Sequence, residues 1–157
     1  MNKIVLQFGL ALVVFLFSAG IAFYEGSGIV DDVFEWDYST PFTHLFHGEI
    51  IEPTDISTLD YFVYAAKYRP TYPLLMAISV LYLITLIVYR WIGNSRKEFS
   101  YFIGILGVLL LVGCAVTNYP STVGGQTMFA VLLAIGILYM GISIVLYFNN
   151  WLVGKRC

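Results

Sequence analysis

The sequence predicts an all-α membrane fold, a four-transmembrane-helix bundle with a large extracytoplasmic loop containing one or two short interfacial helices. Three observations carry this. Of 157 residues, 59% are hydrophobic and 11% charged, whereas an ordinary soluble domain carries about 25% charged residues. Four apolar runs reach spanning length, and the segments that join them differ sharply in charge. The length allows one folding unit, so residues 1–157 are expected to form a single membrane domain.

The four runs are Ile4–Tyr24, Leu74–Ile92, Phe99–Thr117 and Gln126–Phe148. At about 1.5 Å rise per residue they give helices of roughly 28–35 Å, enough to cross a hydrocarbon core of about 30 Å. None contains Asp, Glu, Lys or His, and Arg90 near the end of the second is their one arginine. An alternative for the first run is a cleaved signal peptide, since Lys3 supplies a basic start and Ser18-Ala19-Gly20 offers small residues for cleavage. The run is long for that role.

Orientation follows from Lys and Arg, which are enriched on cytoplasmic flanks. If four helices alternate, Lys3, Arg90, Arg96, Lys97, Lys155 and Arg156 all fall on one side. The other side holds Lys67 and Arg69 against nine carboxylates between Glu25 and Asp60. Both termini are therefore expected in the cytoplasm. Aromatic anchors agree: Tyr24, Tyr72 and Tyr119 stand at the outer ends, and Trp91, Tyr101 and Trp151 at the inner ends.

The loop Glu25–Thr71 is far longer than the roughly 2–8 residues that usually join two helices, so it is expected to fold on the membrane surface. Gly26-Ser27-Gly28 releases the chain from the first helix. Phe34-Glu35-Trp36-Asp37-Tyr38 alternates apolar and acidic residues and predicts a short extended segment with an aromatic face. Ser39-Thr40-Pro41 reads as a cap with proline at the first helical position, starting a helix that runs to about His47 and ends at Gly48. Ser57 and Asp60 have the spacing of a capping box ahead of a second helix to about Tyr68. Pro70 and Pro73 should separate that helix from the second span.

Candidate chemistry is sparse. His44 and His47 share a helix face, and Glu49 or Glu52 could complete a metal site, but two histidines without further ligands are a weak signal. Glu35 and Asp37, preceded by Asp31-Asp32, offer paired carboxylates for acid–base work or, more plainly, a solvated acidic face. Lys67 and Arg69 read as anchors for loop carboxylates or lipid phosphates. Cys114 and Cys157 fall on opposite sides and cannot pair, and no Cys-x-x-Cys supports a thiol oxidoreductase. No cofactor is expected, and no basic patch suits nucleic acid. The spans carry no ionisable residue at their centres, which disfavours an ion path. Ser79, Thr85 and Ser143 can bond to their own helix or a neighbour. Ser18/Ala22, Gly113/Thr117 and Ala130/Ala134 are small pairs spaced for close helix packing.

The strings Tyr24-Glu25-Gly26-Ser27, Trp36-Asp37-Tyr38-Ser39-Thr40-Pro41-Phe42-Thr43 and Asp55-Ile56-Ser57-Thr58-Leu59-Asp60-Tyr61-Phe62-Val63-Tyr64-Ala65-Ala66-Lys67 resemble a family of small, functionally uncharacterised membrane proteins of Gram-positive spore-forming bacteria. The resemblance covers roughly residues 1–90. It implies a plasma-membrane location and supplies no activity. The functional expectation is therefore a non-enzymatic multi-pass protein in the lipid bilayer, with a membrane or envelope protein as possible partner. Phe34, Trp36, Tyr38, Phe42, Tyr61, Tyr64, Lys67 and Arg69 are its expected interaction loop. Alternatives are a metal or small-ligand sensor on the His44/His47 segment and a transporter of a hydrophobic solute.

Overall fold

The computed structural model describes residues 3–46, 48, 50–92, 95–116 and 120–154, with backbone alone for 150–154. Among these residues every regular element is helical. Seven α-helices run in order: α1 (Lys3–Gly26), α2 (Trp36–Ser39), α3 (Pro41–Phe46), α4 (Thr58–Tyr68), α5 (Thr71–Ile92), α6 (Arg96–Val116) and α7 (Val123–Gly154). Short 3-10 turns at Ser27–Asp31, Val33–Glu35 and Pro53–Asp55 complete the connection between α1 and α5.

Four helices, α1, α5, α6 and α7, are long and apolar enough to cross a membrane. Their apolar side chains lie mostly on the outside: Val5, Leu10, Ile105 and Val145 are all exposed. α5 starts at Thr71, earlier than the apolar run. Pro73 therefore stands in the first turn, where a missing N–H removes no helical hydrogen bond, and the Leu74 amide donates to the Pro70 carbonyl at 2.9 Å. α7 has 32 residues, about 48 Å of helix and longer than a bilayer core requires.

The stretch read from sequence as a loop is helical through most of its length, and it holds more helical pieces than expected. Phe34–Tyr38 is not extended, because Val33–Glu35 forms a 3-10 turn and Trp36–Ser39 an α-turn. A five-residue alternation is too short to separate a strand period from a helix period, and no strand stands among the described residues to pair with it. The Trp36 indole N–H donates to the Ile29 carbonyl at 2.9 Å, which closes the turn from the inside. α3 does begin at Pro41; its described residues end at Phe46, the expected last residue His47 lies outside the described residues, and Gly48 follows as the expected stop. Gly48 adopts φ +84°, and its amide reaches back to the Thr43 carbonyl at 3.2 Å. That is a glycine C-terminal stop, using backbone space that a side chain would strain.

The chain divides into two compact units, Met1–Leu81 with Ser121–Gly125, and Tyr82–Pro120 with Gln126–Cys157. In the first, α4 packs on the end of α1 with almost no gap between backbones. A Cβ on Gly26 would lie 1.9 Å from the Tyr61 carbonyl oxygen, and the Phe23 ring sits 5.2 Å from that of Tyr61 and 6.3 Å from that of Phe62. The other end of α4 meets the first turn of α7, where a Cβ on Gly124 would lie 2.2 Å from the Lys67 carbonyl oxygen. Glycine is required at both positions for the same reason.

In the second unit α6 and α7 run antiparallel along a seam of small residues. Ser100 Oγ donates to the Ser143 carbonyl and Ser143 Oγ to the Ser100 carbonyl, each at 2.8 Å. Seven residues along each helix, or about two turns, a Cβ on Gly107 would come within 3.1 Å of the Gly136 carbonyl oxygen. Small residues let backbones approach this closely. The pairs read from sequence are not the ones used here: Gly113, Ala130 and Ala134 are exposed, and Thr117 lies outside the described residues. Each span holds several small residues, and spacing alone does not say which face meets a neighbour. On α1 the reading holds, since Ser18 and Ala22 are buried. Ser79 bonds to its own helix at the Leu75 carbonyl, while the Thr85 and Tyr139 hydroxyls meet at 3.2 Å between α5 and α7.

Candidate functional site

The connection between α1 and α5 forms a cap built around two acidic anchors, one buried and one half-buried. The first is Asp60, fully buried in the first turn of α4. Its Oδ1 accepts the Phe42 amide at 2.9 Å, and its Oδ2 accepts the Thr43 amide at 2.8 Å and the Thr43 hydroxyl at 2.6 Å. Those amides belong to the first turn of α3 and have no partner inside that helix. Asp60 is thus a long-range cap for α3 and not the capping-box partner of Ser57. The Ser57 amide is taken instead by Thr43 Oγ1 at 2.8 Å, while Ser57 Oγ accepts the Leu59 amide at 3.3 Å. Thr40, the expected local cap, turns its hydroxyl to the Trp36 carbonyl.

The second anchor is Glu35, which forms an ion pair with Lys67. Ser39 Oγ donates to Glu35 Oε2 at 2.7 Å, Lys67 Nζ donates to Ser39 Oγ at 3.1 Å, and the Tyr68 hydroxyl also bonds to Glu35. Burial of Glu35 opposes its ionisation. Hydrogen bonds from Lys67, Tyr68 and Ser39, helped by the lysine charge, outweigh that and hold the carboxyl at about 2. Burial pushes the Tyr68 hydroxyl up to about 12, and its bond to Glu35 acts in the same direction. Tyr64 is also raised, first by burial and then by the charge of Asp32, to which it donates at 3.2 Å. The Lys67 ammonium lies 6.0 Å from the Tyr38 ring centroid and 5.3 Å from that of Tyr68, within reach of a cation–π attraction.

The residues of the expected interaction loop therefore separate into two groups. Trp36, Tyr61, Tyr64 and Lys67 turn inward and hold the cap to itself and to α1. Phe34 is 92% exposed and Tyr38 78%, with Phe42 and Arg69 also on the surface. The aromatic side chains close the cap from within and leave a few rings outside.

His44 is exposed, with Nδ1 3.1 Å from the Gly48 carbonyl oxygen. His47 and Glu49 lie outside the described residues, and Glu52 is exposed on the segment before α4. Among the described residues no group of three or more His, Cys, Asp or Glu stands together as a metal site requires. Cys114 is buried in α6, and Cys157 lies outside the described residues.

Sequence reading missed Asp60 as an anchor and Glu35 as the partner of Lys67. The Ser57/Asp60 spacing pointed to a local bond, and nothing in a spacing identifies a partner 17 residues away. The residues Glu35 and Lys67 were each singled out, yet their pairing is 32 positions apart and depends on the fold.

Comparison with known proteins places this cap in a family. The family model described as Domain of unknown function (DUF4306) matches residues 5–92, which hold α1, the cap and α5. The chain belongs to that family. It is 40% identical over 99 residues to the Uncharacterized protein YjdJ of Bacillus subtilis (strain 168), covering 60% of this chain and 91% of that relative. α6 and α7 lie outside the family match. No solved structure matches.

Proposed function

Starting from that membership, we propose that this chain is a non-enzymatic, four-span plasma-membrane protein with both termini in the cytoplasm. Its cap stands on the outer face and docks onto a membrane or envelope protein. The orientation rests on charge placement, with the described cations Lys3, Arg90, Arg96 and Lys97 on one side and the acidic cap on the other. A Gram-positive envelope is consistent with the Bacillus relative.

The carrying observation is the division of labour within the cap. Its half-buried Glu35 and buried Asp60 are engaged in an ion pair and helix capping, while Phe34 and Tyr38 are exposed, as are Asp31 and Asp37. Acid–base catalysis needs carboxylates poised to exchange protons, and structural engagement suits neither of these to it. Exposed aromatic rings on a rigid support are the usual anchors of a protein interface.

Photocrosslinking from position 34 or 38 in living cells tests this. The expected result is one discrete adduct from each position, lost from the position-38 probe when Phe34→Ala is added. A smear of unrelated neighbours that Phe34→Ala leaves unchanged contradicts a specific docking surface.

A further inference from the structure

Between α6 and α7 the second unit carries an open groove of about 380 Å³. Its existence depends on Gly104. A Cβ there would lie 2.7 Å from Ser143 Oγ, so a side chain at 104 would push α6 and α7 apart beneath the groove. Ser143 lines the groove, yet its hydroxyl is turned into the seam and donates to the Ser100 carbonyl at 2.8 Å. What remains toward the outside is apolar, with Ile105, Val108 and Leu109 on α6 and Met140 on α7, and Tyr101 at one end.

The charged residues stand at that same end. Lys97 precedes Tyr101 by four positions and Tyr101 precedes Ile105 by four, so the three share one stripe of α6. Lys97 is exposed, and a helical side chain points back toward the N-terminus of its helix, here away from the groove and past its mouth. Arg90 and Arg96 are exposed at the same end. Glu98, also exposed, is the one carboxylate among the described residues of this unit and lies on the far edge of the stripe from α7. An apolar channel, an aromatic ring at its mouth and a cation beyond follow the order of chain, ester region and phosphate in a phospholipid.

We infer that this groove binds an anionic phospholipid of the surrounding bilayer, with one acyl chain on Gly104 and the headgroup phosphate on Lys97. The inference rests on the membrane reading above, with α6 beginning at the cytoplasmic face. Charge decides the occupant, because cations flank the mouth, and a net-negative headgroup gains more from them than a zwitterionic one whose own cation they repel. Basic pockets between spanning helices on that face bind acidic headgroups elsewhere by the same physics.

The test uses the full chain in nanodiscs of equal phosphatidylglycerol and phosphatidylcholine, with retained lipid read by native mass spectrometry. Phosphatidylglycerol should be retained over phosphatidylcholine by about five-fold, the ratio expected of one lysine facing a headgroup of net negative charge at a membrane surface. Lys97→Gln should bring the ratio close to one. Val108→Trp should fill the groove and lower retention of both lipids while helix content by circular dichroism stays unchanged. Equal retention by the unmodified chain, or retention indifferent to Val108→Trp, overturns the site. A dimer that Val108→Trp disrupts, with no lipid retained, also overturns it and gives the groove to a second copy. Failure of the chain to enter the nanodisc is a separate outcome that contradicts the membrane reading itself.

Discussion

Asp60 shows how much of this cap depends on single side chains. Its two oxygens accept three hydrogen bonds from α3 while fully buried. Asp60→Ala leaves two buried amides without partners and should cost about 2–3 kcal/mol. Asp60→Asn should cost nearly as much, because its NH₂ group would face an N–H. Thermal unfolding in detergent, compared with the neutral surface change Asp37→Asn, measures both. For Glu35 the sign follows from its lowered folded value of about 2 against the ordinary glutamate value of 4.5. Its contribution is fully present above pH of about 4.5 and is lost as pH falls toward 2. Glu35→Gln should remove that acid-range slope and lower stability at neutral pH by about 1–2 kcal/mol, a discounted figure because the pair is partly solvated. A melting series from pH 7 to 2 reads both effects. These anchors were legible in the sequence as residue types and not as roles, since each acts on a segment distant in the chain.

At the scale of elements, α4 is pinned at both ends by glycine. Gly26 admits the Tyr61 carbonyl and Gly124 the Lys67 carbonyl, and each would place a Cβ within 2.2 Å of backbone oxygen. Backbone cannot swing aside as a side chain can, so Gly26→Ala and Gly124→Ala should each destabilise the cap by about 2–3 kcal/mol. Gly20 has open space around its Cβ position, and Gly20→Ala should be neutral or stabilise by up to about 1 kcal/mol. Differential melting of the three variants separates close packing from helix propensity. The sequence reads the long elements well, because some twenty apolar residues leave one physical solution. Short ones fare differently. α3 was visible through Thr40-Pro41 and Gly48, whereas Trp36–Ser39 was hidden because its alternation satisfies two periods at once. The contact faces were not legible either: α6 meets α7 through Ser100 and Gly107, and Gly113 in the same helix faces outward.

For the molecule as a whole, two kinds of information meet. The family match ends with α5, so α1, the cap and α5 are the part common to the family. α7 nonetheless supplies Gly124 to the shared part, with its first turn against the end of α4. The first turn of α7 therefore supports the cap, while α6 and the rest of α7 form a seam of their own. Function follows the same geography. The cap presents Phe34 and Tyr38 outward, and the rim of α6 presents Lys97 beside an apolar groove. Both readings require the two features to stand on opposite faces of one bilayer. Labelling of single cysteines with a membrane-impermeant maleimide in intact cells, in a Cys157→Ser background, tests that requirement most directly. Asp37→Cys should label in intact cells and Lys97→Cys only after permeabilisation; labelling of Lys97→Cys in intact cells, or of Asp37→Cys only after permeabilisation, contradicts the account.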